Sequence, residues 1–337
     1  MRIIVAPDSF KECLSSPQVA ASLGAGARAR WPEAEVVELP LADGGEGTLD
    51  ILAKALQATP MTAAVHDPLG RPVQTRYAIS GHTAIIEVAQ AVGLSLLAPE
   101  ERNPLKASSA GLGELLLAAH GNGCRHYMIG MGGTATCDGG AGMLSVPGIL
   151  QLQDARFELL CDVDAPFLGP KGAARVFAPQ KGASPEDVEV LEDRMRKQAA
   201  KLLVQTGVDV SCLPGAGAAG GLAGALVAAF GADIKKGIDR ILDLVHFRDM
   251  AAGADLVITG EGKSDAQTLM GKVPMGVLQN AGSTPVALLS GCIEDRAALQ
   301  QAGFSSIVEV SPRSMPLAQA MNPSVATGNL FKAVKAL

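Results

Sequence analysis

The chain has 337 residues, of which 48% are hydrophobic, 18% charged and 3% aromatic, and its net charge is −6. So apolar a chain is not a disordered one, and its length suits two domains of ordinary size. With 28 Lys and Arg against 34 Asp and Glu, and few aromatics to stack on bases, nucleic acid is not an expected partner. The 39 glycines, roughly 12% of the chain against a usual ~7%, call for tight turns or close approach of backbone to a ligand.

Residues 2–6 (RIIVA) are an apolar run halted by Pro7-Asp8-Ser9, the pattern of a buried parallel strand that ends in a loop. Ser15-Ser16-Pro17 opens a helix to about residue 30, with proline in its first turn. A second strand at 35–39 leads into Asp43-Gly44-Gly45-Glu46-Gly47-Thr48 and a helix to about residue 56. Strand, loop and helix in alternation imply a right-handed parallel layout. Residues 62–90 alternate with period two around turn signals, which predicts antiparallel strands. Residues 213–232 carry no charge but hold six glycines and a proline, so they read as a Gly-rich loop entering a buried helix, and no membrane partner is expected. The opening grammar returns at 255–259, 285–290 and 307–310, each a strand followed by a helix.

The fold class is therefore α/β: an open parallel-sheet, Rossmann-like domain built from both chain ends, 1–60 plus 250–337, with a second α/β domain, 61–249, inserted in the middle. The six cysteines have no paired or metal-ligand spacing, so free and mostly buried thiols in a reducing compartment are expected. The N-terminus lacks the apolar run of a signal peptide, which points to the cytoplasm. The five histidines are scattered and read as structural.

Five segments sit directly after apolar strands, where open parallel sheets bind ligands: 8–11, 43–48, 130–142, 161–164 and 260–265. The third is the richest, an apolar strand running into Gly130-Met-Gly-Gly-Thr-Ala-Thr-Cys-Asp-Gly-Gly-Ala-Gly142. Its amides and Thr hydroxyls suit phosphate oxygens, or they form a tight structural turn; it is neither a Walker loop nor a dinucleotide fingerprint. Asp8 with Lys11, and Asp43 with Glu46, place charge beside strand ends, for chemistry or for helix capping. Asp162 and Asp164 share one face of an extended segment and either hold a divalent cation or lie at the surface. Asn103-Pro104-Leu105-Lys106 is predicted to begin a helix with a basic group near its positive end, an arrangement that helps if an anion binds there. Gln180-Lys181-Gly182 is similar, but Ser184 beside it is a plain N-cap with proline at N1.

With these loops placed, the chain resembles the bacterial glycerate kinase family. The stretches that carry the resemblance are VAPDSFKECLS at 5–15, PLADGGEGTLD at 40–50, ERNPLKASSAGLGELL at 101–116, IGMGGTATCDGGAGML at 129–144, CDVDAPFLGPKGAARVFAPQKGAS at 161–184, LPGAGAAGGLAGAL at 213–226, GADLVITGEGKSDAQTLMGKVPMGV at 253–277 and VSPRSMPLAQAM at 310–321. They run in order along almost the whole chain. Two departures stand out: a connection at 146–156 that is shorter than the family's, and Glu12 where the family has a small residue.

The resemblance implies ATP- and Mg²⁺-dependent phosphorylation of D-glycerate, to 2-phosphoglycerate in preference to 3-phosphoglycerate, by a monomer or homodimer. On that reading Gly132, Gly133, Thr134, Thr136, Gly139 and Gly140 cradle phosphate, Asp138 lies close to the metal, and Glu261 with Asp265 is an alternative pair of Mg²⁺ ligands at the nucleotide. Asp8 or Asp43 is the base, with Lys11 beside it. Asn103, Lys106 and Lys272 meet the glycerate carboxylate or the nucleotide phosphates, and Asp162, Asp164 and Asp265 are the metal candidates. The short connection also motivates a second reading, a non-catalytic sensor of small hydroxy acids on a kinase scaffold.

Overall fold

The computed structural model describes residues 1–266 and 268–337. In chain order the strands are β1 (Arg2–Val5), β2 (Glu35–Glu38), β3 (Thr59–His66), β4 (Pro72–Ser80), β5 (Thr83–Glu87), β6 (His126–Gly130), β7 (Arg156–Leu160), β8 (Asp233–Lys235), β9 (Leu256–Thr259), β10 (Lys263–Ser264), β11 (Val286–Ser290), β12 (Cys292–Ile293) and β13 (Ser306–Glu309). They belong to two compact units, Met1–Asp43 with Ile238–Leu337, and Gly44–Gly237. The divisions fall short of residues 60 and 250 for a packing reason. The helix Thr48–Ala55 packs on β4 and β5, and the helix Phe247–Ala252 packs on the helix Val273–Asn280.

The unit made from the chain ends holds an all-parallel sheet of order β13-β11-β9-β1-β2. Ile4 pairs with Val37 of β2 and Val257 of β9, and Leu288 pairs with Thr259 and Ile307. Ile3, Val5, Ile258 and Leu289 pack with Val19, Leu23 and Leu330. Their neighbours Ile4, Val257 and Leu288 are equally buried, so both sheet faces are covered, as short continuous apolar strands require. The chain ends meet where the helix Ser16–Arg30 packs on the helix Pro323–Ala333. From β1 the chain steps outward to β2, whereas from β9 it steps the other way to β11 and β13. The strand order thus reverses between β1 and β9, which opens a crevice beyond their carboxyl ends. A two-stranded parallel ladder, β10 with β12, follows β9 and β11.

The inserted unit is a six-stranded sheet of order β3-β4-β5-β6-β7-β8. Its first three strands are antiparallel, as the period-two pattern predicted, and the rest are parallel. Ile86, Ile129 and Leu159 lie in its core, and Tyr127 stacks on Phe157 with ring centroids 4.7 Å apart. The helix Leu222–Phe230 is buried in the same core. Among the described residues no helix is long and apolar enough to cross a membrane.

The helix expected to open near Asn103 starts instead at Ala110. Asn103 folds the chain into a turn: its Oδ1 accepts from the Leu105 amide, and its carbonyl accepts from the amides of Lys106 and Ala107. Glu12 occupies the left-handed region at φ 61°, which accounts for a small residue at that place. Glu12→Gly should stabilise the protein by about 0.5–1 kcal/mol, because relief of left-handed strain exceeds the added entropy of glycine. Thermal denaturation would register this as a higher Tm with unchanged kcat/KM.

Candidate active site

The crevice between β1 and β9 is lined by carboxylates. Asp8 follows β1, with its amide on the Gly260 carbonyl at 2.8 Å and its Oδ1 accepting from the Ser9 amide at 2.6 Å. Burial, then the nearby Asp43 and Glu261 charges, push the Asp8 carboxyl well above its ordinary 3.8. Glu261 follows β9 and is 5% exposed. Its Oε1 accepts from Ser264 Oγ at 2.9 Å and Thr268 Oγ1 at 2.5 Å, and Ser264 Oγ lies 2.6 Å from Ser290 Oγ. Burial raises the Glu261 carboxyl, against these hydrogen bonds and the Lys272 ammonium 3.9 Å from Oε2.

In the inserted unit, β6 delivers residues 131–140. Gly132 allows close approach, since a Cβ there would lie 2.6 Å from the Gly45 Cα. Half the expected cradle is engaged internally. The Gly132 amide donates to the Gly44 carbonyl at 3.1 Å, the Gly139 amide to Gly220 at 3.0 Å and the Gly140 amide to Asp138 Oδ1 at 3.0 Å. The amides of Gly133, Thr134 and Thr136 have no acceptor among the described residues, and the buried Thr136 hydroxyl has no partner either. Beneath them Lys181, 3% exposed, donates from Nζ to Thr134 Oγ1 at 3.0 Å and to the Thr136 carbonyl at 2.6 Å. A cavity of about 430 Å³ opens beside the loop, lined in part by Leu105, Asp138, Leu191, Arg194 and Gln198.

These loops can be set against known proteins. The model of the glycerate kinase family matches residues 3–150 and 149–337. The chain belongs to the glycerate kinase family. As a member it is an enzyme, a kinase. It is 40% identical to a glycerate kinase of Bacillus subtilis over 354 positions, covering 95% of this chain and 93% of that protein. It is 38% identical to a glycerate 2-kinase of Escherichia coli over 344 positions, covering 92% and 90%. A crystal structure assigned to glycerate kinase 2 of Salmonella typhimurium LT2 superposes with a TM-score of 0.81 at 38% identity, covering 100% of this chain and 96% of the other.

The Bacillus alignment spans 354 positions, yet 95% of 337 residues is about 320, so about 34 positions of that glycerate kinase have no counterpart here. The two family matches meet at 149–150, inside the short connection. The chain still closes there: a 3-10 turn, Ile149–Leu152, buries Ile149 and Leu152 and packs on the helix Ala110–Gly121.

The remaining sequence candidates are placed as follows. Asp138 is a loop brace: Oδ2 accepts from the Ser109 amide and hydroxyl and from the Gly142 amide, while Oδ1 takes Gly140. Engaged on both oxygens, it is poorly disposed to act on substrate. Asn103 is the turn-former described above. Lys11 and Lys106 are exposed, and Lys272 stands at the residue before the helix Val273–Asn280, beside Glu261. Asp162 is half-buried and Asp164 exposed, both just after β7, whereas Asp265 lies 3.7 Å from the Lys263 ammonium.

Two features escaped the sequence reading, and a third, Lys181, was named only as a basic residue near a helix start. Lys181 carries no local sign of burial, beyond a lone lysine amid small and apolar residues. Glu87 ends the apolar run of β5 and caps the helix Thr48–Ala55 through the Leu49 amide at 2.7 Å, with burial raising its carboxyl. The Ser264 and Thr268 hydroxyls on Glu261, with Ser290 Oγ on Ser264, are brought together beside the β10–β12 ladder, which the sequence does not show.

Proposed function

We propose that the protein phosphorylates D-glycerate with ATP and Mg²⁺, giving 2-phosphoglycerate. One observation carries the reading: a Gly-rich loop that keeps three amides and the protons of two Thr hydroxyls without an acceptor among the described residues. Such a donor set fits phosphoryl oxygens, and phosphoryl transfer is catalysed mainly by positioning and charge neutralisation. The cavity beside the loop is of a size that suits an organic ligand.

Asp8 is the base in this reading, because a carboxyl raised toward the working pH accepts the proton of an attacking hydroxyl more effectively. Glu261 and Lys272 fix the floor of the same crevice, and Lys11 is an exposed cation for the glycerate carboxylate. For Mg²⁺, Asp162 and Asp164 offer two carboxylates just after β7, the strand next to the one that feeds the phosphate loop. That number suits an ion that keeps waters and takes its other ligands from phosphate. When bound, the ion would neutralise phosphate charge. Six unbridged cysteines fit a reducing cytoplasm.

A coupled assay of ADP release, run with and without D-glycerate and followed by NMR of the product, tests the reading. Glycerate-dependent ADP release with 2-phosphoglycerate formed is the expected result. Glycerate binding with no ADP release would replace the kinase reading with that of a non-catalytic sensor.

A further inference from the structure

We infer that Lys181 is a positioning residue of the phosphate loop: its ammonium accepts no ligand itself but turns Thr134 so that the threonine hydroxyl donates to the bound anion. The inference rests on the phosphoryl-transfer reading above and names a residue that reading does not require.

The geometry is unusual for a lysine. Lys181 is 3% exposed, yet no carboxylate lies within ion-pair distance of it among the described residues. Buried cations are ordinarily paired, because desolvation is otherwise uncompensated. The titratable groups facing it are the Cys137 thiol, which burial pushes up to about 11, and Asp138, already engaged with Ser109, Gly140 and Gly142. Its two hydrogen bonds are both to the loop.

A hydroxyl has one proton and two acceptor sites. Nζ occupies an acceptor site on Thr134 Oγ1, and the Thr134 proton goes to no acceptor among the described residues. Donation from a charged group strengthens the hydroxyl as a donor in turn. The neighbouring Thr136 hydroxyl is buried without a partner among the described residues, and its carbonyl is drawn toward Nζ. A second anion-seeking feature thus lies beside the first. Burial lowers the Lys181 ammonium to about 8, so an anion on the loop must draw a proton onto it at alkaline pH.

The test compares wild type, Lys181→Met, Thr134→Val, Thr134→Ser and the Met/Val double variant. It measures kcat and KM for MgATP from about pH 6.5 to 9.5, and ADP binding by calorimetry in buffers of different ionisation enthalpy. Lys181→Met and Thr134→Val should each lose about 10- to 100-fold in kcat/KM, the double variant no more than the worse single, and Thr134→Ser little. Wild type should take up protons on binding ADP near pH 8.5, about where the amine titrates, and Lys181→Met should not. Wild-type kinetics in Lys181→Met, or losses that multiply in the double variant, would overturn the role while the kinase reading stands. Were Lys181→Met not to fold, equal activity of Thr134→Val and Thr134→Ser would overturn it. A wild-type protein that binds no nucleotide overturns the phosphoryl-transfer reading and this inference together.

Discussion

Gly220→Ala is expected to abolish turnover and to destabilise the protein by about 2–5 kcal/mol, the sum of left-handed strain and overpacking. Gly220 sits at φ +66°, and a Cβ there would fall on the Thr136 carbonyl oxygen, 2.8 Å from the Thr136 carbonyl carbon and the Cys137 Cα. These are backbone atoms of the phosphate loop and have no rotamer by which to move aside. That carbonyl also accepts from Lys181, and the Gly220 carbonyl accepts from Gly139, so displacement here shifts both ends of the loop. A misplacement of about 1 Å can lower turnover by 100-fold. Gly231→Ala is the matched control, at φ +63° with nothing within 4 Å of the added methyl. It should lose only the backbone contribution, about 1–2 kcal/mol, and keep its kcat. Thermal melts and steady-state kinetics on both variants decide the matter. Wild-type kcat in Gly220→Ala would mean that residues 131–140 do not hold the reacting group.

That control also shows where the sequence was legible and where it was not. Short-range signals survived contact with the structure: the RIIVA run became β1, Ser15-Ser16-Pro17 opened the helix Ser16–Arg30, and residues 62–90 formed the antiparallel part of the second sheet. Each rests on periodicity or on an N-terminal helix signal within one element. The reason for each glycine at 215–224 lies in what it faces, which the sequence does not show; here Gly220 and Gly221 face the phosphate loop. Asp138 fits a metal or catalytic role by position, and only the Ser109, Gly140 and Gly142 contacts reveal a brace. Lys181 is the converse, legible in the sequence only as a basic group near a helix start until Thr134, 47 positions away, is brought to its amine. The β10–β12 ladder has two residues per strand, too few to carry an alternation. Strand ends located the loops, and long-range contacts assigned their residues.

Asp8→Asn separates function from stability, because the two should move in opposite directions. The Asp8 carboxyl titrates well above 3.8 in the folded chain, owing to burial and to Asp43 and Glu261. A raised acid contributes stability that is fully present below its unfolded value and is lost as pH rises through its folded value. Above its unfolded value the raised Asp8 carboxyl therefore opposes folding, whereas an uncharged asparagine does not. The variant should melt at a higher temperature than wild type at pH 8, and the gap should close below about pH 3.8, where both side chains are neutral. Asparagine keeps an Oδ1 to accept from the Ser9 amide, so the turn after β1 is preserved. Removal of the base should nevertheless lower kcat by about 100- to 10,000-fold. Melting curves across pH, paired with kcat at pH 8, test both halves. A variant that is less stable at pH 8 would assign Asp8 a structural attachment at the head of β1, and one that retains wild-type kcat would move the base to Asp43. Loss of turnover in a more stable protein is the combination expected of a carboxylate held in a crowded acidic crevice for its chemistry.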